Sequence, residues 1–278
     1  MEVFSGKKKN VKKLPNPEKE MSFLDHLEEL RWTIIRSVLY IVIVAIIVFI
    51  AKTFIFKYVI FSQLNESFPT YRFFCFLGDR FCVHPPDLHL ITRAMGEQFL
   101  VHIKVSMVLG FIVSFPLVLR EVWKFVAPGL KETEKKVTFN IVFICSFLFF
   151  FGVLFGYFVI APFAIKFFAE YTVGQFAQTS PTLDSYVGFL TMLTIPVGFV
   201  FELPIVAYFL AKAGIITSSL MREYRKHAII AILVLAAIIT PPDVFTQVLI
   251  GIPIIMIYEI SIIVVKRVEK KLKEKENE

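Results

Sequence analysis

The chain is poor in the residues from which catalytic and metal centres are built. It holds five His and three Cys, and none of them fall at metal-ligand spacing. Its aspartates (Asp25, Asp79, Asp87, Asp184 and Asp243) all lie outside the middles of the apolar runs, which excludes the aspartate pair of an intramembrane protease. No HExxH, Walker A or GxSxG motif occurs. The expectation is a protein that acts by binding, not an enzyme, and that uses no cofactor. No RNA-binding or helix-turn-helix signature accompanies its basic residues, so nucleic acid is not an expected partner either. A short apolar segment with a small-residue cleavage site is also missing near the start. Residues 1–20 are polar instead, with Lys7, Lys8, Lys9, Lys12 and Lys13 followed by Pro15 and Pro17, and are expected to form a disordered basic cytoplasmic tail.

Apolar residues are abundant. They make up 56% of the 278 residues, and 32 of these are Phe. Mean hydropathy is +0.70. A soluble domain of this length has too little interior to hide so much apolar surface, and the long runs require lipid as their solvent. A hydrocarbon core of about 30 Å needs about 20 helical residues. Expected spans are Ile34–Phe54, Phe99–Leu119, Val137–Phe158, Val187–Leu210, Ala228–Thr240 and Val244–Val265. The fifth is short: its 13 residues before Pro241-Pro242 cover only about 20 Å. No internal repeat is visible, which weighs against an inverted-repeat transporter.

The net charge of +7 is unevenly placed. Lys and Arg number eight up to Arg36, five in 120–136, four in 212–226 and six after Val265; the alternate segments 57–93 and 162–184 carry four and one. By the positive-inside rule both termini are cytoplasmic. The fold class expected is therefore all-α: a polytopic membrane protein with six transmembrane helices. Its core covers residues 21–266, and 267–278 form a charged cytoplasmic tail.

Four segments carry polar residues that the membrane does not explain. In 22–34, Leu24, Leu27, Leu30 and Ile34 repeat at helical spacing, so one face is expected on the membrane while Asp25, His26, Glu28 and Glu29 face water. A solvated acidic face and a site for a cationic partner are both compatible with that pattern. In the loop after the second span, Trp123 and Phe125 suit the interfacial belt, and Pro128-Gly129 sets where Glu132 and Glu134 point. Ordinary loop charge is the alternative to an arginine-binding rim. Glu202, in Phe201-Glu202-Leu203-Pro204, lies inside a span, where a carboxylate is costly and defaults to a functional hypothesis. A hydrogen bond to a neighbouring helix would explain it equally. Asp243 can cap the last span, and Gln247 one turn on needs a partner in lipid.

Taken together these pieces resemble the twin-arginine translocase subunit TatC family. The matching segments are Phe23-Leu24-Asp25-His26-Leu27-Glu28-Glu29-Leu30-Arg31, Val122-Trp123-Lys124-Phe125-Val126-Ala127-Pro128, Phe201-Glu202-Leu203-Pro204 and Thr240-Pro241-Pro242-Asp243-Val244-Phe245-Thr246-Gln247. They fall in family order across residues 21–266. The resemblance implies a curved, glove-like arrangement of helices in the bacterial cytoplasmic membrane. It also implies a receptor for twin-arginine signal peptides of folded cargo proteins, working in an oligomeric complex with TatA-type and TatB-type single-span proteins and driven by the protonmotive force. On this resemblance the signal-binding residues are Glu29 and Glu134, with Phe125 and Arg31 near them, and the intramembrane contacts to partners are Glu202, Asp243 and Gln247. A proton-coupled small-solute transporter using Glu202 and a non-transporting membrane scaffold are the alternatives. The first outer loop, 65–90, departs from the family pattern in its length and carries Cys75 and Cys82. A disulfide between these two is expected in an oxidising compartment, with two free thiols as the alternative.

Overall fold

The computed structural model describes residues 23–126, 138–172, 174, 180–239 and 244–276, and its regular structure is all helical. The expected tail 1–20 therefore lies outside the described residues, as do Glu134 and Asp243. α1 spans Phe23–Ile50 with neither Gly nor Pro to break it. Short turns of helix follow: α2 (Lys52–Ile55), a π-helical turn (Phe56–Ile60), a 3-10 turn and α3 (Pro69–Phe76). α4 covers Glu97–Val126, α5 Thr138–Phe155, a second π-helical turn Gly156–Ile160, and α6 Ala161–Glu170. α7 (Leu183–Val200) and α8 (Leu203–Lys212) are separated by a turn at Phe201-Glu202, with Pro204 opening α8. α9 (Ser218–Glu223), α10 (Arg225–Ile239) and α11 (Val244–Glu276) complete the chain.

Among the described residues, five segments are long and apolar enough to cross a membrane: His26–Ile50, Glu97–Val126, Ile141–Glu170, Leu183–Lys212 and Val244–Glu274. α10 is apolar too, but its 15 residues reach only about 22 Å, less than the hydrocarbon thickness. α11 continues helical well past Val265, so the charged segment after it is an extension of the same rod.

α1 packs along α4, α4, α5 and α7 pack on one another, and α11 packs against α8 and α10. The polar side of α1 faces the protein. Thr33, Ser37 and Ala45 are buried at helical spacing, while Ile34, Ile35, Val38, Leu39, Ile46 and Ile47 face outward. The expectation that His26 and Glu29 face water is corrected here: His26 stacks on Phe125 of α4, and Glu29 is half-buried. In lipid the apolar side needs no protein cover, so small and polar residues fill the helix contact instead. Gly110 of α4 makes the closest approach, because a Cβ there would sit 2.8 Å from the Ala45 Cβ.

The two π-helical turns face one another and are held by side chains. A π-turn breaks the regular hydrogen-bond ladder and leaves carbonyls seeking donors. Gln63 Nε2 donates to the Tyr157 carbonyl at 2.8 Å, Tyr186 Oη to that of Ile60 at 2.9 Å, and Tyr157 Oη to that of Val59. Tyr71 Oη donates to the Gln63 carbonyl at 3.1 Å, and burial pushes its phenol up to about 12. Cys75, in the last turn of α3, is joined to Cys82 as a disulfide, and Cys145 is a buried free thiol.

Candidate functional site

The seam between α1 and α4 carries a concentration of charge at the end where α1 begins. Glu121 of α4 is only 3% exposed. It accepts from Lys124 Nζ at 2.6 Å and from Arg36 Nη1 at 3.4 Å, so both carboxylate oxygens are used. One turn further along α4, Phe125 stacks on His26, ring centroids 4.2 Å apart and planes 19° apart. One turn along α1 from His26, Glu29 Oε2 is buried and has no hydrogen-bond partner among the described residues. Ser37 Oγ and Trp123 Nε1 are likewise buried without partners, and Trp123 packs on Phe209 of α8. A buried, unmet carboxylate oxygen costs more than a paired one and favours a donor brought from outside.

Glu29 and Phe125 are thus brought to one seam. Arg31 is not: it stands about 200° round α1 from Glu29. Its guanidinium lies 5.9 Å from the ring of Trp32 on an exposed surface. Sequence reasoning passed over Glu121 and Arg36, although an acid inside the Arg120–Lys124 turn and an arginine within an apolar run were both visible signals.

Glu202 lies at the break between α7 and α8, about two thirds of the way along the composite span Leu183–Lys212. Its Oε1 is buried without a partner among the described residues. The Cys145 thiol and the Phe149 backbone of α5 lie beside the carboxylate. The break fits tightly: a Cβ on Gly152 would come within 2.9 Å of Phe201 and of the Gly198 backbone. On the same bundle an apolar cavity of about 460 Å³ opens between α4, α5 and α7, with Tyr157, Thr191 and Thr194 as polar points in its wall. Gln247 has a structural answer, since its Nε2 donates to the Leu233 carbonyl of α10 at 3.0 Å. Glu259 is paired with Arg225, the Nε–Oε1 and Nη2–Oε2 distances both 2.8 Å. Among the described residues no group of His, Cys, Asp and Glu could hold a metal ion.

Comparison with known proteins adds a second line of evidence. A family model described as Sec-independent protein translocase protein (TatC) matches residues 25–253. A protein of that name from Blattabacterium sp. subsp. Periplaneta americana is 36% identical over 265 residues, covering 93% of this chain and 100% of the relative. Another from Helicobacter pylori strain J99 is 40% identical over 189 residues, 68% of this chain and 76% of its own length. A solved structure described as the crystal structure of twin arginine translocase receptor TatC superimposes with a TM-score of 0.70 at 34% identity, covering 88% of this chain and 99% of that one.

Proposed function

Since the chain belongs to the TatC family, we propose that it is the signal-peptide receptor and core subunit of the twin-arginine translocase. In that role it exports folded proteins through the bacterial cytoplasmic membrane at the expense of the protonmotive force. It would cross the membrane six times, with α10 as the short fifth span and both termini in the cytoplasm. The placement of Lys and Arg on alternate segments supports that orientation.

The observation that carries the receptor reading is the buried, unpartnered Glu29 Oε2 beside the His26–Phe125 stack. Two consecutive arginines present two planar forks, each matched to one carboxylate. Glu29 takes one fork and Glu134 the other, with Phe125 as the apolar wall. Glu121 cannot take that role while Arg36 and Lys124 occupy it. Glu202, Asp243 and Gln247 serve a different purpose in this reading, as polar contacts for TatA-type and TatB-type single-span helices in an oligomeric complex.

The test is binding of a twin-arginine peptide to the solubilised full-length chain. Each charge-assisted pair is worth about 1.5–3 kcal/mol, so E29Q and E134Q should each weaken binding by roughly one to two decades. An Arg-to-Lys peptide should also bind worse, because Lys keeps the charge but not the fork. Unchanged binding in the double variant E29Q/E134Q sinks the assignment. A solute transporter or an inert scaffold would ignore the peptide altogether.

A further inference from the structure

The part of α11 beyond the apolar span carries a charge pattern that the receptor reading leaves unused. It runs Lys266-Arg267-Val268-Glu269-Lys270-Lys271-Leu272-Lys273-Glu274. At about 100° per residue, Lys266, Arg267, Lys270, Lys271 and Lys273 share one arc of roughly 160°, with Val265, Val268 and Leu272 opposite. The apolar side is against the protein: Val265 and Val268 are buried with Ala207 and Ala211 of α8, and Ile216 and Met221 pack on them. All five cations are exposed.

Three of the nearby acids are already engaged. Glu259 is held by Arg225. Glu269 turns toward α9, where it accepts the Ser218 amide at 2.9 Å and the Ser218 hydroxyl. Glu274 pairs with Lys270 at 3.7 Å. Among the described residues Lys266, Arg267, Lys271 and Lys273 have no carboxylate partner. The arc also starts where the apolar run stops, at the Val265–Lys266 junction. From Lys266 to Lys271 the helix rises about 8 Å, close to the depth of one headgroup layer.

We infer that this arc is a binding surface for the phosphates of anionic phospholipid headgroups. Four free cations stacked through the headgroup layer meet lipid phosphates without moving, whereas a soluble polyanion would not need a surface continuous with a membrane span. Docking the arc also fixes α9, which Glu269 and the Tyr258 hydroxyl (donating to the Met221 carbonyl at 2.8 Å) tie to α11.

The test uses the full-length protein in neutral detergent, titrated with phosphatidylglycerol or phosphatidylcholine in mixed micelles. Wild type should bind phosphatidylglycerol at least about tenfold more tightly than phosphatidylcholine, at roughly fivefold per cation near a surface, and added salt should erode the preference. K266Q/R267Q/K271Q/K273Q should lose that preference by about tenfold or more while binding twin-arginine peptide as wild type does. That unchanged peptide binding separates this proposal from the receptor reading. Equal phosphatidylglycerol preference in variant and wild type overturns the proposal. So does a short RNA that binds the arc when the lipid does not, and so does inorganic phosphate matching the lipid's affinity. If the quadruple variant does not fold, K271Q/K273Q lies beyond the buried Val265 and Val268 and carries the same test. Full preference in that double variant overturns the proposal equally.

Discussion

Glu29 and Glu121 are two carboxylates on one helix seam in opposite states: Glu121 is clamped between Arg36 and Lys124, while Glu29 Oε2 is buried with no donor. The two should therefore differ in how much stability loss of charge costs. E121Q leaves Arg36 and Lys124 without their anion, and since both are about half exposed the cost should be about 1–3 kcal/mol rather than that of a fully buried pair. E29Q removes an acceptor that nothing meets and should leave stability within about 0.5 kcal/mol of wild type. Thermal unfolding of the solubilised variants measures both. An E29Q protein destabilised as much as E121Q would mean that Glu29 already has a partner within the fold.

Gly110 should be intolerant of even one methyl group. An added Cβ would lie 2.8 Å from the Ala45 Cβ and 3.0 Å from Ala45 backbone atoms, and backbone cannot turn aside. G110A should cost about 1–3 kcal/mol by forcing α1 from α4. A45G in the same chain should recover part of that loss, since it removes the nearest atom. A G110A protein that unfolds at the wild-type temperature would show that the helices separate freely.

The helical class and the positions of the long apolar segments were legible because they rest on length and composition alone. The facing of α1 was legible only on its apolar side. Leu27, Leu30 and Ile34 were expected on the membrane and are exposed there, but the side expected to face water packs on the protein. There His26, Glu29, Thr33 and Ser37 make the helix contact. The paired π-turns were invisible to periodicity, which describes runs and not local insertions. Their trace in the sequence is the set of polar residues bordering apolar runs, Ser62, Gln63, Tyr157 and Tyr186, each of which meets a backbone carbonyl or another such hydroxyl. The need of Gln247 for a partner is legible in the sequence, yet no local signal names the Leu233 carbonyl, because that pairing depends on how α10 and α11 lie together.

The disulfide gives a chemical prediction. Cys75 and Cys82 are bonded in the loop between α1 and α4, whereas Cys145 is a buried thiol in α5. Closing a loop this small should stabilise it by about 2–3 kcal/mol in the chain-entropy account. Alkylation of protein from oxidising conditions should label neither loop cysteine until reductant is added. Equal labelling of both with and without reductant would refute the pairing in the living membrane.

Glu202 supplies the sharpest separation of roles. Its Oε1 is buried and unmet at the turn between α7 and α8, far along the chain from the α1–α4 seam, with Cys145 and the Phe149 backbone beside it. A carboxyl group in that position is held at a cost, and a donor on an entering partner helix offsets it. E202A should therefore weaken crosslinking to a single-span partner while leaving the affinity for a twin-arginine peptide at the wild-type value. E202Q should lose less, because the amide keeps an acceptor and gains a donor in the same volume. The stability of E202A in the absence of partners should fall only modestly, by about 1 kcal/mol, since relief of the unmet oxygen offsets part of the lost contacts with Cys145 and the α5 backbone. If E202A instead abolishes peptide binding with crosslinking intact, the carboxyl group acts on the signal and not on the partner, and the division of labour between the seam and the α7–α8 turn is wrong.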